Sequence, residues 1–351
     1  MGSIWFLVPG SLGVRTGGSI YNRRMARALR ALGHEVHVRE LDDSFPRPTA
    51  EALVGARHVL RAIPDGAMVV VDGLAFSTMP DLAEQEAPRL ALVALVHLAR
   101  RADPADPPGT RAGAEAAEGR ALRAARGVIV TGSTTPDSLG PYGLLPEAIQ
   151  VVAPGADRHE LPEPSTATGG PVRVLCVATV NAGKGHDVLL EALATLPREG
   201  WRLTCAGSLS RDVAAAARVQ ALAQALGIAD RVTFAGDLTP SALDAAFREA
   251  DVFALATRAE TYGMAVAEAI SYGLPVVATR TGDIPSFVGT DAGLLVPPDE
   301  PEAFTTALAR LIGDPALRVA LAHGARRAAA ALPTWPDAAA RFWTALTRIC
   351  P

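Results

Sequence analysis

Lysine is almost absent from this chain of 351 residues. One of its 33 basic residues is a lysine, Lys184, and the other 32 are arginines. Where either side chain would serve, this chain uses arginine. The survival of one lysine therefore suggests a site that needs a compact ammonium group rather than a planar guanidinium. Lys184 is accordingly the first candidate for a functional residue.

The chain also has few cysteines, a small net charge and no long apolar run. Three cysteines are too few and too scattered for a disulfide framework or a zinc site, and we expect Cys176 and Cys205 to be buried thiols because they lie in apolar runs. A net charge of -4 argues against a nucleic-acid partner. No apolar run approaches about 18 residues and no basic segment precedes the first one, so we expect a cytoplasmic protein without a membrane span or signal peptide.

Hydrophobic residues are abundant, and their pattern predicts the fold class. They make up 49% of the chain, which excludes intrinsic disorder, and the length predicts about two domains. Short apolar runs alternate with helical segments, as expected for α/β proteins whose parallel strands are covered by helices on both faces. The predicted strands are 3–9, 35–39, 67–72, 90–96 and 127–131 in a first series, and 172–178, 202–207, 231–236, 251–256, 275–278 and 293–296 in a second.

A segment rich in proline, glycine, serine and threonine, 161–171, separates the two series and is typical of a linker. The sequence thus predicts two doubly wound, Rossmann-like domains, 1–165 and 166–332, which face each other across a ligand-binding cleft. Residues 333–351 predict one further helix with Phe342, Leu346 and Ile349 on one face, which could pack on either domain.

The first strand is followed by Gly17 and Gly18 and then by a helix. On that helix Met25, Leu29 and Leu32 are predicted to share one apolar stripe, and Gly33 is predicted to end it. A glycine pair at a helix start exposes backbone N–H groups that suit an anion, but a plain tight turn has the same pattern.

Lys184 lies between a predicted strand that ends near Ala178 and the helix that begins within DVLLEAL. This places its ammonium group at the carboxyl end of a sheet and beside a helix N-terminus. The ammonium group and the helix N-terminus would both attract a phosphate. Downstream, Glu260 and Glu268 are eight residues apart, with Tyr262, Gly263 and Met264 between them. Two carboxylates beside helix N–H groups suit a ligand that carries hydroxyl groups next to phosphates, although a solvated helix face would have the same spacing.

Five segments follow one another along nearly the whole chain: the Gly-Gly turn, GKGHDVLLEAL, ETYGMAVAE, GLPVVAT and TGDIP. In this order they resemble the retaining family-4 glycosyltransferases of the GT-B fold. The resemblance implies a bacterial enzyme that moves a sugar from a nucleotide-diphosphate sugar, with a UDP-sugar favoured, to an acceptor hydroxyl. The nucleotide sugar is a substrate, and no cofactor is expected. The C-terminal helix 333–351 could pack back on the N-terminal domain.

The resemblance further implies a role for each matching residue. Lys184 would bind the donor diphosphate, Glu260 the transferred sugar near its anomeric carbon, and Glu268 the ribose hydroxyls. Gly17 and Gly18 would approach the diphosphate, and His97 would lie beside the reacting sugar. The amides of Tyr262, Gly263 and Met264 would bind donor hydroxyls and phosphate oxygens.

This chain departs from the family pattern at Thr179, where many members have an arginine, so that Arg258 could contribute to phosphate binding instead. The segment LARRADPAD after His97 also differs, which leaves the acceptor open between a soluble or polymeric glycan and a lipid. We expect no metal, because the chain has no D-x-D pair. A nucleotide-sugar-binding pseudoenzyme and a nucleotide-sugar epimerase remain alternatives.

The basic residues Arg23, Arg27 and Arg30 recur at helical spacing in the first helix. They raise the hypothesis of weak peripheral contact with the inner membrane face, against which stands the abundance of arginine throughout the chain.

Overall fold

The computed structural model describes residues 2–100, 108–161, 163–164 and 170–351, with the side chains of all of these but 108–110. Most of the segment that follows His97, and part of the expected linker 161–171, lie outside the described residues. The chain divides into two compact units. Unit 1 contains Met1–Gly155 and Pro333–Pro351, and unit 2 contains Ala156–Leu332.

Unit 1 is built on a six-stranded parallel sheet. Its strands are β1 (Ser3–Pro9), β2 (Glu35–Leu41), β3 (Met68–Asp72), β4 (Ala91–Val96), β5 (Gly127–Val130) and β6 (Ile149–Val151). Their order in the sheet is β2-β1-β3-β4-β5-β6. The helices between them are α1 (Gly17–Ala31), α2 (Ala50–Arg61), α3 (Gly73–Phe76), α4 (Pro80–Glu86), α5 (Pro108–Ala124) and α6 (Thr135–Leu139). The strand order reverses between β1 and β3.

Unit 2 also contains a six-stranded parallel sheet. Its strands are β7 (Val172–Val177), β8 (Trp201–Ala206), β9 (Val232–Gly236), β10 (Val252–Leu255), β11 (Val276–Thr279) and β12 (Gly293–Val296). Their order is β12-β11-β10-β7-β8-β9, so the reversal here lies between β7 and β10. The helices are α7 (His186–Ala194), α8 (Val213–Ala225), α9 (Pro240–Glu249), α10 (Met264–Ser271), α11 (Ile284–Val288), α12 (Pro301–Gly313) and α13 (Pro315–Ala331).

The strand predictions are confirmed to within about two residues, because the central strands are apolar along their whole length. Every residue of β4, β10 and β11 is buried, as expected for strands covered on both faces. Cys176 and Cys205 are buried as expected, and they are direct partners on β7 and β8. The sequence pattern missed β6, a strand of three residues at the end of the sheet, which is only partly buried and gives no distinct apolar run.

The prediction for the first helix is right for two of its three apolar residues. Met25 and Leu29 are fully buried on α1, and Gly33 follows the helix with a positive φ of 86°. Leu32 is wrong as a member of the buried stripe, since its exposed fraction is 43%. The helix ends at Ala31, so Leu32 caps it instead of continuing its inner face.

The last helix, α14 (Trp335–Ile349), belongs to unit 1. Its start is fixed by a capping box, in which Thr334 and Asp337 bond to each other's backbone N–H groups. The fully buried Phe342 lies 6.2 Å from the ring of Phe6 on β1, and the Trp335 ring lies edge-on to that of Tyr21 on α1. The C-terminal helix thus completes the core of the unit formed by the first 155 residues.

The residues just after Gly155 belong to unit 2 because they bond to its helices. The guanidinium of Arg158 donates to the carbonyls of Ala329 and Leu332, at 2.6 Å each, and so satisfies the open end of α13. The His159 ring stacks on that of Tyr272, with 3.7 Å between centroids. Unit 2 therefore begins at Ala156, within the region that the sequence assigned to the first domain.

Among the described residues, no helix is long and apolar enough to span a membrane.

Removal of the Phe342 ring tests the placement of α14. Phe342→Ala would leave a cavity beside Phe6, and we expect it to lower the free energy of unfolding of unit 1 by about 3–5 kcal/mol. The exposed neighbour Arg341 provides the matched control, since Arg341→Ala should change stability by no more than about 0.5 kcal/mol. Hydrogen exchange would locate the effect. Accelerated exchange centred on unit 2 would contradict the assignment of α14 to unit 1.

Candidate active site

Lys184 and Glu260 meet at the point where the strand order of unit 2 reverses. Lys184 lies in the loop after β7, and Glu260 lies in the loop after its neighbour β10. The ammonium group Nζ forms an ion pair with Oε1 of Glu260. The two side chains keep 27% and 16% of their surface exposed. Ligands of open parallel sheets bind outside the carboxyl ends of the strands at such a reversal, which makes this pair the centre of the candidate site.

The loop that carries Lys184 is held against the loop after β10. Gly185 has a φ of 63°, and a Cβ atom there would lie 2.0 Å from the carbonyl oxygen of Ala256, so only glycine fits. The carbonyl of Gly183 accepts hydrogen bonds from the Thr257 hydroxyl at 3.1 Å and from the Arg258 N–H at 2.8 Å. The Lys184 loop is therefore held in place by these hydrogen bonds and by the close approach of Gly185 to Ala256.

The Arg258 side chain joins three parts of unit 2. It forms two hydrogen bonds with Asp187, at 3.1 and 2.9 Å, and one with Asp299 at 2.8 Å. It also donates to the carbonyl of Ala182 at 2.6 Å, beside the lysine loop. Hydrogen bonding to Asp187 raises the pKa of Arg258, although burial opposes this. These contacts attach the Lys184 loop to the start of α7. Donor binding by Arg258 stays a prediction.

The segment between Glu260 and Glu268 leads into α10. Gly263 has a φ of 89° and precedes the first residue of the helix, Met264. A Cβ atom at Gly263 would lie 2.5 Å from the side chain of Ile284, so this turn requires glycine. Tyr262 is buried, and its burial together with Asp283 raises its pKa to about 12. Glu268 lies in the second turn of α10 and is half-buried.

Unit 1 holds a second polar cluster at the carboxyl ends of its strands. His97 follows β4, Asp72 ends β3, and Asn22 lies on the helix after β1. Nε2 of His97 lies 3.1 Å from Oδ1 of Asn22 and 3.4 Å from Oδ2 of Asp72. The structure also brings Gly18 here, since a Cβ atom at Gly18 would lie 3.2 Å from Cδ2 of His97.

The structure thus groups the predicted site residues in two sets, one in each unit. At the carboxyl ends of the strands of unit 2 lie Lys184, Arg258, Glu260 and the start of α10. At the carboxyl ends of the strands of unit 1 lie Gly18 and His97. The sequence pattern predicts neither Asn22 nor Asp72 as a site residue. Asp72 had a usable signal, because it is a carboxylate at the carboxyl end of the predicted strand 67–72, where ligands of parallel sheets bind.

A buried histidine lies beneath the lysine loop. His186 begins α7, is 1% exposed, and its Nε2 lies 3.9 Å from the Cys176 sulfur. Hydrogen bonding from the neighbouring thiol of Cys205 lowers the pKa of Cys176. His186 is therefore packed inside unit 2 at the start of α7. No group of three or more histidine, cysteine or acidic side chains within the described ranges is arranged to hold a metal ion.

Comparison with known families identifies unit 2. Residues 157–328 match the family described as glycosyl transferases, group 1, a range that contains Lys184, Glu260 and Glu268. Residues 157–328 form a group 1 glycosyl transferase domain. The D-inositol 3-phosphate glycosyltransferase of Xylanimonas cellulosilytica is 36% identical to this chain over 214 residues, which are 57% of this chain and 51% of that protein. The chain therefore spans about half the length of the curated relatives it matches.

Solved structures show that this chain has the GT-B fold. Sucrose-phosphate synthase from Thermosynechococcus elongatus matches it with a TM-score of 0.82 and 22% identity, over 98% of both chains. Anabaena Alr3699/HepE, in complex with UDP and glucose, matches with a TM-score of 0.76 and 19% identity, over 98% of this chain and 99% of that one. The predicted fold class is confirmed.

Two adjacent glycines provide a matched test of the unit 1 cluster. Gly18→Ala should displace the His97 ring by a few tenths of an ångström, because the new methyl group would press on Cδ2. Gly17→Ala is the control, since no described atom outside its own chain neighbours and helix backbone lies within 4 Å of its Cβ position. We expect the histidine ring signals in NMR spectra to shift for Gly18→Ala only. Equal shifts in both variants would contradict the contact.

Proposed function

We propose that this chain is a retaining hexosyltransferase that uses a nucleotide-diphosphate sugar, with a UDP-sugar favoured, and an acceptor hydroxyl. The observation that carries the proposal is the ion pair of Lys184 and Glu260 at the reversal point of the family domain. The relatives named D-inositol 3-phosphate glycosyltransferase support sugar transfer. The UDP and glucose bound by Alr3699/HepE support the donor class.

In this proposal Lys184 stabilises the leaving group. Negative charge develops on the nucleoside diphosphate as the bond to the sugar breaks, and a fixed ammonium group lowers the energy of that transition state. A diphosphate carries more charge than the single carboxylate that now pairs with Lys184, so it would compete for the ammonium group. Glu260 would then be able to accept a hydrogen bond from a sugar hydroxyl near the anomeric carbon.

The remaining donor contacts are assigned to the start of α10 and to unit 1. The first turn of α10 carries no acidic residue, so its N–H groups, with those of Tyr262, Gly263 and Met264, suit phosphate and hydroxyl oxygens. Glu268 would accept from the ribose hydroxyls. We assign approach to the diphosphate to Gly17 and Gly18, and contact with the transferred sugar to His97.

Metal-free chemistry is part of the proposal. Lysine and helix N-termini would carry the neutralising role that a divalent cation has in other nucleotide-sugar enzymes. Transfer should therefore be unaffected by an excess of a metal chelator.

The acceptor is a glycan or a lipid. Arg23, Arg27 and Arg30 are all exposed on α1, which keeps weak contact with anionic headgroups as a hypothesis. Arg30 is partly engaged, since it donates to the carbonyl of Val36 at 2.6 Å. Localisation at the cytoplasmic membrane face depends on this contact.

Donor turnover tests the function itself. The purified chain would be incubated with UDP-hexoses and candidate acceptors, and the released UDP and the anomeric configuration of the product would be measured. Retained configuration in a new glycoside supports the proposal. Binding of UDP without turnover would indicate a nucleotide-sugar-binding pseudoenzyme, and an isomerised free nucleotide sugar would indicate an epimerase.

Lys184→Ala tests the leaving-group role. Loss of a charge that acts in the transition state should lower kcat/KM by roughly two to three powers of ten. Lys184→Arg keeps the charge but not the compact shape, and we expect it to restore only part of the activity. The exposed Arg202 serves as control, since Arg202→Ala removes a positive charge from the same unit away from the site. Near-normal turnover of folded Lys184→Ala would rule out the role.

The two glutamates should separate binding from turnover. Glu268→Ala should mainly weaken UDP binding, measured by calorimetry, because Glu268 is assigned to the ribose. Glu260→Ala should mainly lower kcat, because Glu260 is assigned to the transferred sugar. Glu191→Ala, on the exposed side of α7, should change neither value. A loss of UDP affinity in Glu260→Ala and not in Glu268→Ala would reverse the two assignments.

A further inference from the structure

A buried carboxylate at the end of β3 lies next to His97. Asp72 is 1% exposed, and both of its oxygen atoms have partners. Oδ1 accepts from the N–H of Leu74 at 2.9 Å and so caps α3, while Oδ2 accepts from Nδ2 of Asn22 at 2.5 Å. Burying a carboxylate is costly unless it is fully hydrogen-bonded, so these contacts fix the position of the side chain.

The carboxylate determines which way the Asn22 amide points. An ionised aspartate has only acceptor atoms, so the amide nitrogen of Asn22 has to face it. The amide oxygen Oδ1 is then directed at Nε2 of His97, 3.1 Å away. Oδ2 of Asp72 is itself 3.4 Å from the same nitrogen. Two acceptor oxygens at Nε2 require a hydrogen on that atom.

The remaining contacts of the ring hold it in this orientation. The backbone at Gly18 closes on the Cδ2 edge, and the ring of Tyr21 lies edge-on with 5.1 Å between centroids. Within the part of the chain that the structure describes, the contacts of the His97 ring nitrogens are all at Nε2, and 18% of the side chain is exposed. With Nε2 and Cδ2 covered, the opposite side of the ring, which carries Nδ1, is the side available to a ligand.

We propose that Asp72 and Asn22 are positioning residues that hold His97 in its Nε2–H tautomer and leave Nδ1 as a hydrogen-bond acceptor. His97 would then bind a hydroxyl group of a substrate, and would not donate to a phosphate oxygen. The use of Nδ1 in sugar transfer rests on the proposed function above. The tautomer itself rests only on the contacts within unit 1.

The arrangement predicts that Asp72→Asn exchanges the donor and acceptor nitrogens of the His97 ring. The side-chain oxygen of the new asparagine would still cap α3, so its amide nitrogen would face Asn22. Asn22 would turn its oxygen toward that nitrogen and its own amide nitrogen toward His97. Nε2 would then have to accept, and the hydrogen would move to Nδ1. A change of one oxygen to one nitrogen would thus reverse the donor and acceptor atoms of the histidine.

Nitrogen NMR of protein labelled with ¹⁵N-histidine tests the tautomer directly. Spectra would be recorded at a pH about two units above the ordinary histidine pKa, with His97→Gln used to assign the signals of His97. We expect Nε2–H in the wild-type protein and Nδ1–H in Asp72→Asn. An Nδ1–H tautomer or a ring that remains doubly protonated in the wild-type protein would overturn the proposal, whether or not the variant folds.

Kinetics then separate positioning from loss of structure. Asp72→Asn should lower kcat by roughly a factor of 10 to 100 and change the Kd for UDP much less, since Lys184 and Glu268, the side chains assigned to UDP, lie in unit 2. Asp81→Asn, at an exposed aspartate on α4 that pairs with Arg120, is the matched control and should change neither value. A folded Asp72→Asn variant with an inverted tautomer and normal kcat would overturn the role in positioning. Absence of sugar transfer by the wild-type protein, with Nε2–H still observed, would reject the proposed function and not the tautomer.

Discussion

Parallel strand pairing is the constraint on which the rest of this structure depends. Each strand pair in both sheets is parallel, so every strand must be followed by a crossover that returns the chain to the same starting edge. The carboxyl ends of all strands in a unit therefore meet at one edge, and the loops there are brought together whatever their separation in sequence. Where the strand order reverses, crossovers lie on opposite faces and leave room between two loops. In unit 2 this is where Lys184 and Glu260 meet.

Close backbone contacts convert this general arrangement into a defined site. The loop after β7 touches the loop after β10 at Gly185, and the turn at Gly282 touches the backbone of Thr261 in the same way. A Cβ atom at Gly282 would lie 2.2 Å from the Thr261 carbonyl oxygen. The loops on three adjacent strands are thus packed backbone to backbone. Their charged side chains begin from fixed positions, which is the condition for electrostatic stabilisation without reorganisation.

The charged side chains of the two clusters have partners within the chain. Lys184 faces Glu260, Arg258 faces Asp187 and Asp299, and the Asp72 carboxylate is bonded to Asn22. Pairing offsets the free energy of removing these groups from water. The two clusters differ in how far their contacts can change when a ligand binds. Lysine can exchange one anion for another by rotating its long side chain. Asp72 is buried and caps a helix, so the contacts it makes around His97 have a single arrangement.

The sequence by itself determined the element order and the fold class, and it singled out Lys184 as a candidate for donor binding. Apolar runs marked eleven of the strands because buried parallel strands are mostly apolar, and Lys184 stood out because it is the only lysine. Three features became visible only in the tertiary structure. They are the strand β6, the end of the first helix before Leu32, and the hydrogen bond of Arg158 to the end of α13, 171 residues further along the chain. Asn22 and Asp72 are 50 residues apart, and neither pattern nor spacing relates them. Hydrophobic periodicity is a local property that the sequence displays directly, whereas a polar contact depends on which loops the sheet order makes neighbours, and that order is decided only when the chain folds.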